Sequence, residues 1–327
     1  MRRRDLIVLL GGTAAVWPIA SHSQQPKKIP RIGVLWHAAN AEEEDVYLSV
    51  LTKAFNDLGY VDGKSVQLEH RFPDETPDRF RAIAREFVET KVDVIIAVTA
   101  LGAKEAKQAT NTIPVVFVVD PDPVGSGLVE SLAHPGGNVT GLSLMAIDVS
   151  GKRLDFFKEL VPNLSRVAIM VDPRDPTAPR FVAGYEKAAR LLGLSTQLLE
   201  VTTPDQIDEA FSAVARDGLD GVAVAGPMLF NQRVRVGAAA LAHKIPTLSG
   251  VAEMVPYGLL LSYGQDFPDF FRRAVGYADK ILKGAKPADL PVQQPTQFKL
   301  AINLRIARAF GLTIPQSLLI TTNELIE

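Results

Sequence analysis

Short runs of branched apolar residues recur along this chain, and each is followed by a longer stretch whose apolar positions repeat at helical spacing. A strand buried on both faces reads as an unbroken apolar run, and the helix covering it carries one apolar stripe. The alternation therefore specifies parallel sheets with helices on both faces. Strands are expected at 32–36, 66–70, 92–98 and 115–119, with helices at 41–58, 77–90 and 100–109 between them. After a turn-rich stretch at 136–141 the alternation restarts. Helices at 149–160, 177–192, 204–215 and 229–242 intervene among strands at 166–171, 196–200, 221–225 and 246–249. An extended segment at 259–263 and a helix at 267–282 follow, and beyond them only 298–302 and 304–310 read as regular.

Two such blocks imply two Rossmann-like α/β lobes, and 327 residues exceed what one ordinary core of about 100–200 residues takes. The first lobe is expected to comprise 29–142 plus about 264–290, and the second 143–263 plus 291–327. Extended connections near Thr140, Ser262 and Val292 would carry the chain between lobes more than once. Several parallel connections restrict motion to opening and closing about one axis, which makes a hinge rather than a free linker.

The first residues follow another logic. Arg2, Arg3 and Arg4 precede an apolar run over 6–19, and Ser21-His22-Ser23 supplies small residues where a leader would be cut. These are the parts of a signal peptide spanning 1–23, with cleavage after Ser23 and the mature protein in the periplasm. The arginine pair only approximates the twin-arginine pattern, so the export route stays open. The chain has no cysteine, which removes disulfides, thiolate metal sites, thiol nucleophiles and the cysteine that a lipid anchor needs. A net charge of −2 gives no field that would attract nucleic acid.

Ligands of open parallel sheets bind beyond the carboxyl ends of the strands. In the first lobe those ends carry Trp36-His37, Thr99-Ala100 and Asp120; in the second they carry Asp172, Gly226 with Asn231, and Ser249. Ser143 and Tyr263 lie beside the crossings. Thr99 either caps its own helix or, with the first N–H groups of that helix, holds a carboxylate. Trp36 offers an aromatic face to a ligand or is a core ring. Asp120 binds a ligand amine or orders its proline-rich turn, and Tyr263 is a ligand donor or an ordinary hinge tyrosine.

Enzyme signatures do not assemble. The five histidines have no metal-binding spacing. Gly141 precedes Ser143 by two positions but Met145 follows it by two, so no nucleophile elbow forms. The stretch 136–141 has neither a Walker lysine nor dinucleotide-loop spacing. No catalytic residue, metal or cofactor is expected.

Several blocks closely resemble one family: Gly125-Ser126-Gly127-Leu128-Val129, His134-Pro135-Gly136-Gly137-Asn138-Val139-Thr140-Gly141, and the run Ile281 to Val292. Ala301-Ile302-Asn303-Leu304 and Gly311-Leu312-Thr313-Ile314-Pro315 continue it. The chain resembles the ABC transporter substrate-binding proteins that include tryptophan- and tyrosine-type receptors, over essentially the whole mature length. The resemblance implies the type I periplasmic-binding-protein fold and a ligand held between the lobes without fixing which one; a small organic solute, amino acid-like or an aromatic carboxylate, is expected. It also implies delivery to a membrane permease driven by a cytoplasmic ATPase, and the receptor is expected to be a monomer. Residues 321–326 depart from the family's usual ending. A sensory ligand-binding module and an exported hydrolase or isomerase remain as other classes.

Overall fold

The computed structural model describes residues 29–145 and 149–327; the expected signal peptide and its cut near Ser23 lie outside them. The first sheet is wholly parallel. In chain order its elements are β1 (Arg31–Leu35), α1 (Asp45–Asp57), β2 (Gln67–Arg71), α2 (Pro77–Glu89), β3 (Val94–Ala97), α3 (Ala100–Ala109), β4 (Val115–Asp120) and β5 (Val139–Ser143). The strands lie in the order β2-β1-β3-β4-β5. The second block contributes α4 (Ser150–Leu160), β6 (Arg166–Val171), α5 (Ala178–Leu191), β7 (Ser195–Glu200), α6 (Gln206–Arg216), β8 (Gly221–Val224), α7 (Pro227–Asn231), α8 (Arg233–His243) and β9 (Thr247–Ser249). The chain ends with β10 (Leu261–Gln265), α9 (Phe267–Leu282), β11 (Phe298–Asn303), α10 (Leu304–Ala309), α11 (Gln316–Thr321) and β12 (Glu324–Ile326). The second sheet runs β12-β11-β10-β9-β8-β6-β7, with only β10 and β11 antiparallel.

Sequence chemistry sets the helix starts that later face the site. Thr99 caps α3 by accepting from the Gly102 amide at 3.4 Å, and Asp266 caps α9 by accepting from the Asp269 amide at 3.1 Å. Both sheets are covered on two faces. Helices α1 and α9 bury Phe55, Phe271 and Val275 against one side of the first sheet, while α2 and α3 bury Phe80, Phe87 and Ala103 on the other. In the second block Phe157 of α4 and Tyr185 of α5 fill one face, and Phe211 of α6 and Val236 of α8 the other.

The chain passes between the sheets three times: after β5, from β10 into α9, and from α9 back to β11. At the middle of these passages the backbone pairs directly, with the Gln293 amide on the Gly141 carbonyl at 3.0 Å and the Ser143 amide on the Gln293 carbonyl at 2.8 Å. Thr140 Oγ1 adds a bond to the Leu290 carbonyl at 2.6 Å.

Three segments differ from the sequence reading. The helix expected from residue 41 starts at Asp45, because Glu44 turns inward to accept from the amides of His37 and Ala38. The helix expected at 229–242 is broken at Gln232 into α7 and α8, and Arg233 at the break lies over the rings of Phe230 and Tyr257. The C-terminal stretch read as irregular forms α11 and β12, the latter pairing in parallel with β11. That pairing is non-local, so no local pattern announces it.

One contact gives a direct stability test. Helix α8 lies so close to the turn 252–257 that a Cβ on Gly237 would sit 1.8 Å from the Tyr257 carbonyl oxygen. Gly237→Ala must push two backbones apart and is expected to cost about 1–3 kcal/mol. Thermal unfolding reads this; an unshifted midpoint would show that the turn gives way freely.

Candidate functional site

Between the two sheets, at the carboxyl ends of their strands, lies a cavity of about 120 Å³. The first lobe contributes the start of α3 and the loop after β1. The second contributes the loop 172–177 before α5 and the Gly226-Pro227 turn before α7.

Five Phe and Tyr rings stand in the cavity wall among aliphatic side chains. Tyr47 of α1 stacks on Phe271 of α9 at 4.7 Å between ring centroids and on Phe230 of α7 at 5.3 Å. Phe181 and Phe267 close the side toward the second sheet. Tyr47 is held neutral far above its ordinary pKa, by burial first and by Glu253 second.

The polar groups gather in two places. The first centres on His37, whose Nδ1 is 2.8 Å from Glu75 Oε1 and whose Nε2 is 3.2 Å from Glu44 Oε1. Burial alone would lower its pKa, but Glu44, Glu75 and Glu43 outweigh burial and raise it to about 9, so the ring is an imidazolium at neutral pH. Glu75 is aimed at it by an unusual backbone. Asp74 and Glu75 have φ of 56° and 51°, held there by amide bonds to the Ala38 and His37 carbonyls at 3.0 and 2.9 Å. The second place is the loop before α5. Asp172 turns both oxygens onto Arg174, with contacts of 2.6–3.1 Å. Asp175 accepts from the amide and hydroxyl of Thr177 through Oδ1, both at 2.8 Å. Its Oδ2 receives no hydrogen bond from the described residues and lies over Gly226. Burial raises the Asp175 pKa, and burial likewise raises that of Glu75.

Contacts cross the cleft on both sides, so the lobes are closed on each other. Asn231 Nδ2 lies 3.1 Å from both Glu75 Oε1 and His37 Nδ1. Arg233 reaches the Glu43 carbonyl at 3.4 Å, and on the opposite side Arg180 donates to the Gly125 carbonyl at 2.6 Å and lies 3.4 Å from Asp122.

Of the residues expected from sequence, His37, Thr99, Ala100, Asp172 and Gly226 line the cavity together. Asn231 stands at its rim as a bridge between the lobes. The others are placed elsewhere. Trp36 is wholly buried among Phe72, Phe271 and His70, and its Nε1 donates to His70 Nδ1 at 2.9 Å, so it is a core ring with its polar edge satisfied. Asp120 is buried and accepts from the Asp122 amide at 2.7 Å, ordering its own turn, while burial pushes its pKa up to about 6. Ser143 is buried in the hinge pairing. Ser249 belongs to a smaller chamber behind the cavity. Tyr263 packs between Phe156 and Phe298, away from the cleft. Sequence reasoning missed Tyr47, Glu75, Asp175 and Phe230, among others. Asp175 was within reach, because it shares a strand-end loop with Asp172; Tyr47 and Glu75 sit on a helix face and in a mid-loop and carry no such signal.

Two α/β sheets, one wholly parallel and one with a single antiparallel pair, closing over a cavity that carries five aromatic rings, with three passages between them, define a two-lobed ligand receptor of the type I periplasmic-binding-protein fold. The chain belongs to the ABC transporter substrate binding protein family, whose model matches residues 40–326. It is 27% identical over 253 residues to the tyrosine-binding protein of Clostridioides difficile strain R20291, covering 77% of this chain and 72% of that one. A conserved domain protein of Vibrio cholerae superposes with a TM-score of 0.84 at 26% identity, over 91% of this chain and all of that one. A Streptococcus pneumoniae ABC domain crystallised with L-Trp superposes with a TM-score of 0.83 at 24% identity, over 91% and 99% of the two chains. Among the described residues no helix is long and apolar enough to cross a membrane.

Proposed function

We propose that this protein is the periplasmic receptor of an ABC importer for an aromatic amino acid, which it encloses between its lobes and hands to the permease. The observation that carries this reading is the composition of the cavity between the lobes: rings of Tyr47, Phe181, Phe230 and Phe267 for an apolar body, beside groups of both signs for a zwitterion. The tyrosine-binding relative points the same way. The ligand carboxylate meets the first amides of α3 next to Thr99, which have no partner within the helix and sit at its positive end. The ammonium meets Asp175 Oδ2, which is half-buried and receives no hydrogen bond from the described residues, whereas Asp172 is already neutralised by Arg174. Only contacts made in the closed form drive closure, and residues from both lobes supply them here. The apolar run behind an arginine-rich start supports export.

Calorimetry with L-tyrosine, L-tryptophan and L-phenylalanine tests the reading. At least one is expected to bind in the micromolar range or tighter; failure of all three, with other solutes retained, would reject the aromatic class. Thr99→Val is expected to weaken the bound amino acid about fivefold or more, while the ligand-free protein loses only the capping contribution of about 1 kcal/mol. Unchanged affinity would remove Thr99 from the carboxylate site.

A further inference from the structure

Behind the aromatic wall lies a second, smaller chamber of about 50 Å³, sharing Leu144, Phe181, Gly226, Val251 and Phe267 with the main cavity. Its floor is the second sheet, and two glycines make it possible. A Cβ on Gly264 would meet the Gly250 carbonyl oxygen at 1.9 Å, and a Cβ on Gly250 would meet the Arg153 guanidinium at 2.7 Å. Most polar groups of the chamber are already engaged. Ser249 Oγ is 3.2 Å from both Met254 Sδ and the Val251 amide. Arg153 Nε donates to the Tyr263 carbonyl at 2.6 Å. Gln265, the last residue of β10, is the exception: it is 3% exposed, lines the chamber, and its Oε1 is buried without a hydrogen-bond partner among the described residues. A buried acceptor left unsatisfied is costly, so it marks where a donor is meant to arrive.

Resting on the aromatic amino acid reading, we propose that Gln265 is the specificity residue of this receptor, accepting a hydrogen bond from the distal donor of the ligand ring. A ligand held by Thr99 and Asp175 directs its side chain toward the Phe181–Phe267 wall, and the chamber lies beyond it. The ligands selected are then amino acids whose ring carries an O–H or N–H, against isosteres that lack one. Such discrimination comes from the buried acceptor that the wrong ligand leaves unpaired.

The test compares two pairs in calorimetry: tyrosine against phenylalanine, and tryptophan against its benzothienyl isostere, which replaces the ring N–H by sulfur. Wild-type protein is expected to prefer the donor-bearing member of at least one pair about tenfold or more. Gln265→Met keeps the side-chain length and removes the acceptor; it should cut that ratio to about threefold or less, mainly by weakening the donor-bearing ligand. A ratio retained in Gln265→Met overturns the assignment. If that variant fails to fold, the wild-type comparison still decides: equal affinities within both pairs overturn the subsite and leave the aromatic reading standing. If none of the four ligands binds, both fall together.

Discussion

Replacing His37 with leucine is expected to cost the protein about 3–5 kcal/mol of unfolding free energy at pH 7, the loss that follows removal of one partner from a buried ion pair. His37 is the cation between Glu44 and Glu75, and Glu44 is fully buried. Without the imidazolium both carboxylates remain in a low-dielectric site with no counter-charge. The same ring makes the wild type pH-sensitive. Its pKa in the folded protein, about 9, lies above the unfolded value of 6.5, so its contribution is complete below pH 6.5 and disappears as pH rises toward 9. The size is about 3 kcal/mol at most. Denaturant titrations at pH 6, 7.5 and 9 should show wild-type stability falling with pH more steeply than that of His37→Leu, which keeps only the smaller decline that Asp120 contributes above pH 6. Parallel profiles for the two proteins would mean that the ring is not the titrating group.

The second large effect concerns affinity. Asp175→Asn keeps an acceptor for the Thr177 amide and hydroxyl and removes the charge, and it is expected to weaken binding of an amino acid about thirtyfold or more, as loss of one partner of a desolvated charge pair does. The melting temperature without ligand should hold steady or rise, because burial already disfavours the charged carboxyl. A ligand analogue lacking the amino group separates the roles: it should bind the wild type and Asp175→Asn alike. Should the substitution weaken amine-free and amine-bearing ligands equally, Asp175 acts on the shape of the loop and not on the ammonium.

These two residues show where the sequence stops being legible. His37 was marked because it follows a buried strand, where open parallel sheets bind their ligands. Its charge, however, is conferred by Glu44 together with Glu75, and Glu75 reaches it only because a two-residue left-handed turn follows β2. Trip points of the opposite kind occur at Trp36 and Tyr263. Both stand near strand ends and have the chemistry of ligand contacts, yet each finds neighbouring rings in its own lobe and turns into the core. The aromatic wall of the cavity comes instead from α1, α5, α7 and α9, whose apolar stripes read in sequence simply as faces that cover a sheet.

The period of the apolar residues was enough to establish two α/β blocks, and the residues at their strand ends pointed to where the cavity lies and to Thr99 as a capped helix start beside it. Those features follow from local backbone geometry, because strand and helix periods and caps are properties of a few consecutive residues. The pairing of β12 with β11 and the charge on His37 depend on residues 23 and 38 positions apart, Ile302 with Leu325 and His37 with Glu75. Tertiary structure alone decided them, since burial and electrostatic partners exist only once distant segments have packed.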